Sequence, residues 1–213
     1  MSEGNNQGPD YGQQNQNVSG QSPQDAAAMR NFVILYGGQI LSFLGTSLSG
    51  FAIGVWIFQQ TGSVMDFALI GLFTLAPVVL IAPLAGVVAD RWDKKVMMIV
   101  TDGISALFSV WIFWLAWTNQ LEIWHLYTMA IISGLANGFQ RPIYESTLPM
   151  IVPKRLLGNA NGMIQTGIGI SELAAPLLAG ILVSRFGLLP VISIDLITFV
   201  IAVVGVLVAK LPK

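Results

Sequence analysis

The stretch Gly86-Val-Val-Ala-Asp-Arg-Trp-Asp-Lys-Lys95 decides the reading of this chain. Five of its ten residues are charged: Asp90, Arg91, Asp93, Lys94 and Lys95. An uncharged apolar run, Phe67 to Ala89, leads into it, and a second apolar run, Val96 to Trp117, follows. Charge is costly at a bilayer centre, so a charged knot between two membrane-length runs lies at a membrane face. Three basic residues in so short a loop put that face on the cytoplasmic side. Gly86 allows close backbone approach near its helix end. Asp90 is placed to accept hydrogen bonds from free N–H groups at a neighbouring helix start.

Composition agrees with a membrane location. The 213 residues are 54% hydrophobic and 10% charged, whereas soluble domains average about 25% charged. The apolar residues therefore belong to several spans rather than to one core. Absence of Cys excludes disulfides, thiol catalysis and zinc–thiolate sites, and the single His125 cannot build a metal site alone. No phosphate-binding loop and no Ser-His-Asp order is visible, so neither an enzyme nor a cofactor is expected. A net charge of −1 without a basic cluster gives no nucleic-acid footprint.

Outward from the charged stretch, six spans follow. Residues 1–30 form a polar tail rich in Gln, Asn, Gly and Ser, expected to be disordered and cytoplasmic. The remainder, 31–213, is the membrane domain. Phe32 to Phe58 is the first span, and its Gln39, Ser42, Thr46, Ser47 and Ser49 suggest a face turned from lipid. Gly50 and Gly54 there give a small-xxx-small pair. The second span, Phe67 to Ala89, carries Pro77 and Pro83, and the third is Val96 to Trp117. Trp111, Trp114, Trp117, Trp124 and Tyr127 read as an aromatic belt. The fourth span is about Ile123 to Leu148, the fifth about Leu157 to Val183, and the sixth Leu188 to Ala209. Eight of the ten Lys and Arg residues fall in segments on one side (Arg30, Arg91, Lys94, Lys95, Lys154, Arg155, Lys210, Lys213). That asymmetry puts both termini inside.

The charged stretch resembles the short cytoplasmic signature of the major facilitator superfamily, between its second and third helices. Gly86, Asp90, Arg91, Lys94 and Lys95 match the pattern, while Asp93 replaces the usual Gly. Trp92-Asp93, the segment Asn137-Gly-Phe-Gln-Arg-Pro142, the prolines at 149 and 153, and Gly158-Asn-Ala-Asn-Gly162 look like the branch that includes macrolide and siderophore exporters. An internal repeat points the same way: Ala82-Pro-Leu-Ala-Gly86 closes span two, and Ala175-Pro-Leu-Leu-Ala-Gly180 closes span five. The resemblance implies an all-α membrane protein whose six transmembrane helices form one half of a major facilitator fold, as two inverted three-helix repeats. It also implies that Gly86, Asp90, Arg91, Lys94 and Lys95 act as a conformational latch.

Ionisable residues inside spans carry a functional expectation by default. Asp102, Arg141 and Glu145 lie in the cytoplasmic third and are expected to form a charge network, with Arg141 and Glu145 paired at i,i+4. Glu172 is roughly 20 Å from the inner face and Asp195 roughly 10 Å from the outer face, so in a core about 30 Å thick their depths coincide. Both are therefore candidates for proton coupling, since low dielectric disfavours two unpaired carboxylates. The alternative reading is that each is a structural acid bonded to a backbone group or a Ser.

These expectations combine into a cell-membrane transporter for proton-coupled efflux of a hydrophobic or amphipathic small molecule. The chain reads as a half that needs a C-terminal six-helix half or a second copy of itself. A non-transporting accessory or scaffold membrane protein is the alternative.

Overall fold

The computed structural model describes residues 23–209. Six long helices follow one another: α1 (Pro23–Thr61), α2 (Val64–Arg91), α3 (Lys94–Trp117), α4 (Ile123–Ile151), α5 (Leu157–Phe186) and α6 (Leu188–Val208). A 3-10 turn, Lys154–Leu156, joins α4 to α5. Lys210, Lys213 and residues 1–22 lie outside the described residues. The expected tail boundary at residue 30 falls inside α1. Ala26 to Ala28 are the strongest helix formers, Asp25 supplies a first-turn acid that complements the helix dipole, and Asp25 pairs with Arg155 beyond α4.

Among the described residues, α1, α2, α3, α5 and α6 are long and apolar enough to cross a membrane. Helix α4 has the length, 29 residues or about 43 Å, but Ser133, Asn137, Gln140, Arg141 and Glu145 dilute its apolar character. The chain is a multi-pass membrane protein. Its exposed large side chains are apolar along whole helices, such as Leu72, Leu75, Val79, Leu80 and Leu84 on α2, as lipid requires.

Packing joins α2 to α4 and, in the same manner, α5 to α1; α3 packs on α4 as α6 packs on α1. Exchanging α1–α3 for α4–α6 therefore preserves these principal neighbour pairs. With three alternating spans in each unit, the second unit runs inverted relative to the first.

Small residues set the closest approaches. A Cβ on Gly134 would overlap the Thr74 carbonyl and stand 3.3 Å from Pro77; one on Gly138 would overlap Ile81 and stand 3.3 Å from the Val78 Cα. On the other side, Gly38 faces the Ala202 backbone at 3.3 Å and Gly205 faces the Ile34 carbonyl at 3.0 Å. Without a hydrophobic drive between helices in lipid, such backbone proximity supplies the dispersion contact that holds them. Of the Gly50–Gly54 pair, only Gly54 makes such a contact, against the Phe67 ring, while Gly50 faces open space. A single residue, Gly187, joins α5 to α6 at φ 77. Glycine alone adopts that backbone without steric cost.

Candidate functional site

The signature stretch turns between α2 and α3 through Trp92 and Asp93, both extended. Asp93, not Asp90, caps the neighbouring helix: its Oδ1 accepts from the Val96 N–H at 3.0 Å. Asp90 stands exposed one residue before the end of α2, and among the described residues no hydrogen bond or ion pair engages its carboxylate. Among the described residues Asp90 therefore caps no helix start. Geometry favours Asp93, which sits at the N-cap itself, where a short acid reaches an orphan N–H. Gly86 also differs from expectation, since a Cβ there would meet nothing within 4 Å.

The lysines work at helix C-termini. Lys94 donates its Nζ to the Ala89 carbonyl in the last turn of α2. Lys95 donates to the Leu207 carbonyl near the end of α6 at 3.2 Å. Carbonyls of a last turn lack intrahelical partners and carry the negative end of the dipole, so a cation there satisfies both. The start of α3 is in this way tied to the ends of α2 and α6. Arg91 is exposed.

The acids within the spans separate into distinct settings. Asp102, 1% exposed, accepts from Gln39 Nε2 of α1 at 3.1 Å and from Gln140 Nε2 of α4 at 2.6 Å. Tyr144 donates to Gln39 Oε1, and Tyr36 donates to the Tyr144 carbonyl at 2.7 Å. The partners of Asp102 are therefore amides, not Arg141 or Glu145. Those two do pair, Nε to Oε1 at 3.1 Å, but on an exposed face of α4. The expected three-membered charge network divides into a buried amide-held acid and an exposed ion pair.

Asp195, 4% exposed, accepts from Thr46 Oγ1 of α1 at 3.2 Å and from Ser109 Oγ of α3 at 3.1 Å. Glu172 is exposed and lines an open groove of about 520 Å³ between α1, α2 and α5, with Phe51, Phe67, Thr74, Ala175 and Pro176 among its walls. The two proton-coupling candidates therefore differ in their surroundings. Asp195 faces the interior between α1, α3 and α6, and Glu172 faces an apolar groove.

A small polar cavity of about 40 Å³ lies between α1, α3, α4 and α6. Gln39, Ser42, Thr46, Ser105, Gln140 and Tyr144 are among its lining residues. Gln39 and Gln140, both bonded to Asp102, were not singled out as site residues by sequence reasoning. The polar stripe Gln39, Ser42, Thr46 at i, i+3, i+7 on α1 is the signal that points to them.

At the α3–α4 end, Trp114, Trp117 and Trp124 are exposed, in the manner of an interfacial belt. Trp111 instead turns inward, edge-on to Phe108 and His125. Among the described residues no cluster of His, Asp or Glu could hold a metal ion.

Residues 35–213 match the family model of the Major Facilitator Superfamily. The chain belongs to the Major Facilitator Superfamily. Macrolide efflux protein A of Streptococcus pyogenes is 29% identical over 182 residues, covering 85% of this chain and 45% of that protein. Macrolide efflux protein A of Enterococcus faecalis is 30% identical over 150 residues, 70% of this chain and 46% of that protein. A bacterial homolog of the human lysosomal transporter Spinster, solved inward-facing and unoccupied, superposes with a TM-score of 0.65 at 17% identity. It covers 91% of this chain and 45% of that structure, and at that identity it speaks to the fold alone. This superfamily chain spans about half the length of the curated relatives it matches. It is a transporter-family protein of the efflux-like branch and not an enzyme.

Proposed function

We propose that this chain supplies the N-terminal six-helix half of a proton-coupled exporter of a hydrophobic or amphipathic small molecule. The observation that carries the reading is Asp195, a buried carboxylate held by the hydroxyls of Thr46 and Ser109 with no basic partner among the described residues. An uncompensated charge in low dielectric is costly, and taking up a proton relieves the cost. A carboxylate so placed loads and releases protons when its surroundings change. The substrate class rests on similarity to macrolide efflux proteins and on the apolar groove at Glu172, whose single carboxylate suits an amphipathic cation. The remaining half of the substrate path comes from a second six-helix unit, a C-terminal half or another copy. Both termini and the α2–α3 loop face the cytoplasm of the cell membrane, because the basic residues gather there.

Efflux driven by an imposed pH gradient in vesicles tests this, using the chain together with its second half. Asp195→Asn abolishes gradient-driven efflux while substrate binding persists, since the amide keeps shape and hydrogen-bonding capacity. Glu172→Gln weakens binding of a cationic substrate and leaves binding of a neutral one in place. Full gradient-driven efflux in the Asp195→Asn protein would defeat the proton reading.

A further inference from the structure

The start of α4 is closed by an acid and an imidazole that cap each other. The Glu122 N–H donates to His125 Nδ1 at 3.0 Å, and the Glu122 side chain accepts from the His125 N–H in return. Reciprocal caps of this kind ordinarily carry Ser or Thr at the N-cap and Glu or Gln three residues on. Here the acid holds the first place and the imidazole the second. Trp124 Nε1 also donates to Glu122 Oε2, at 2.7 Å. His125 itself is buried. Its ring centre lies 3.7 Å from that of Trp124 and 5.2 Å from that of Trp111 on α3.

The loop before this turn is fixed to α3 by its backbone: the Thr118 N–H donates to the Trp114 carbonyl at 3.0 Å and the Gln120 N–H to the Leu115 carbonyl at 2.9 Å. The Glu122–His125 pair closes the side toward α4. Charged groups at this end of the bundle are few. Glu122 lies in the loop. Asp66, on the first turn of α2, accepts from Tyr127 of α4 at 3.3 Å. Arg185 is exposed in the last turn of α5. The last turns of α1 and α3 and the first turn of α6 bring none.

Only an unprotonated Nδ1 accepts a hydrogen bond, and the imidazolium carries a proton on both nitrogens. Protonation of His125 therefore removes the acceptor of the Glu122 N–H. It also puts a positive charge at the positive end of the α4 dipole. The Glu122 carboxylate already accepts from the His125 N–H and from Trp124, so an imidazolium drawn to it competes with the same cap. Imidazole changes charge between roughly pH 5 and 8, a range in which the Glu or Gln usual at this place does not. We propose that His125 is a proton-operated clasp of the α3–α4 loop. Neutral, it closes the first turn of α4 and holds the loop against α3 beside Trp111. Protonated, it lets that turn open. The closed turn is thus held at the higher pH and lost as pH falls through the imidazole titration, and the loop answers to the pH of the compartment it faces. The clasp works independently of Asp195 and of what is transported.

The test uses the 213-residue chain in lipid nanodiscs, purified without a histidine tag. His125 is its single histidine, so one isotope-labelled imidazole signal in the NMR spectrum reads its protonation directly. Hydrogen exchange, corrected for the intrinsic effect of pH, is followed over residues 120–127 between about pH 5 and 8. Exchange should rise roughly fivefold on acidification, the change that losing one cap brings, with the same midpoint as the imidazole signal. Exchange over residues 143–148, in the same helix but remote from the cap, should stay constant. His125→Gln supplies an acceptor that does not titrate and should stay protected throughout. His125→Ala supplies none and should exchange fast throughout. An imidazole that titrates while exchange at 120–127 stays flat would overturn the proposal, and so would an imidazole that keeps one charge over the whole range. An equal rise in His125→Gln would overturn it too, by assigning the change to Glu122 or Asp66. Should the Gln variant not fold by circular dichroism, coincidence of the two midpoints in the unaltered chain decides.

Discussion

Lys95, on the first turn of α3, donates its ammonium to the carbonyl of Leu207 at the far end of the sequence, 3.2 Å away. Together with Lys94 on the Ala89 carbonyl, it makes the basic pair of the signature a fastening of helix ends. The pair is thus structural within this unit, whatever it does against a second half. Lys95→Ala should release the last turn of α6 at a cost of about 0.3–1 kcal/mol. Hydrogen exchange read by mass spectrometry should show faster exchange confined to residues 205–209, and unchanged exchange there would refute the fastening.

Asp93 stands where the family pattern has Gly, and its carboxylate caps α3 through Val96. Asp93→Ala should cost about 1 kcal/mol, and Asp93→Gly only a few tenths, because glycine leaves the cap accessible to water. Thermal unfolding in detergent measures both; equal losses would mean that the cap contributes nothing.

Gln39 satisfies two partners at once, donating to Asp102 and accepting from Tyr144. Gln39→Leu strands a buried acceptor and a buried hydroxyl, so a loss of about 1–3 kcal/mol is expected for each group left unpaired. The double variant Gln39→Leu, Tyr144→Phe should recover the share lost at the hydroxyl. Additive losses in that cycle would dissolve the pair.

Glycines of α2 and α4 should respond in opposite ways. Gly134→Ala drives a methyl against the Thr74 carbonyl and should cost about 1–3 kcal/mol. Gly86→Ala meets open space and should leave the chain as stable or more so, by up to about 1 kcal/mol. If Gly86→Ala is silent here yet impairs export by the longer transporter, the close approach at Gly86 is made by the second half.

Orientation is testable because the chain lacks Cys. Gln120→Cys, in the exposed α3–α4 loop, should react with an impermeant thiol reagent applied to intact cells, and Lys154→Cys should not. Gln120 suits better than Asn119, whose φ of 55 a cysteine would adopt only with strain. Labelling of Lys154→Cys alone would invert the topology.

The spans, the signature and the inverted repeat were legible in the sequence because length, charge placement and motif spacing vary along one dimension. What was not legible is rotation about each helix axis. In a soluble helix the apolar stripe reveals the inward face. In lipid the outward face is equally apolar, so that signal fades. Depth counting therefore placed Glu172 and Asp195 at one level but could not tell that Asp195 turns to Thr46 and Ser109 while Glu172 turns to a groove. Likewise Arg141 and Glu145 paired as their i,i+4 spacing implies, whereas Asp102 took amides from two other helices. The residual cue is the spacing of rare polar residues, Gln39-Ser42-Thr46 and Asp102-Ser105-Ser109, which marks an inward face by itself.

Because α2 rests chiefly on α4 and α5 chiefly on α1, the second helix of each three-helix unit finds most of its packing in the other unit. The consequence falls on biogenesis. As the ribosome delivers the chain, α2 enters the bilayer without its main partner and waits through the synthesis of α3 until α4 arrives with Gly134 and Gly138. Helix α1, in turn, is completed only by α5 and α6. Until then α2 has only its smaller contact with α1, where Gly54 meets the Phe67 ring, and a ribosome stalled after α3 would hold a bundle open to quality-control proteases.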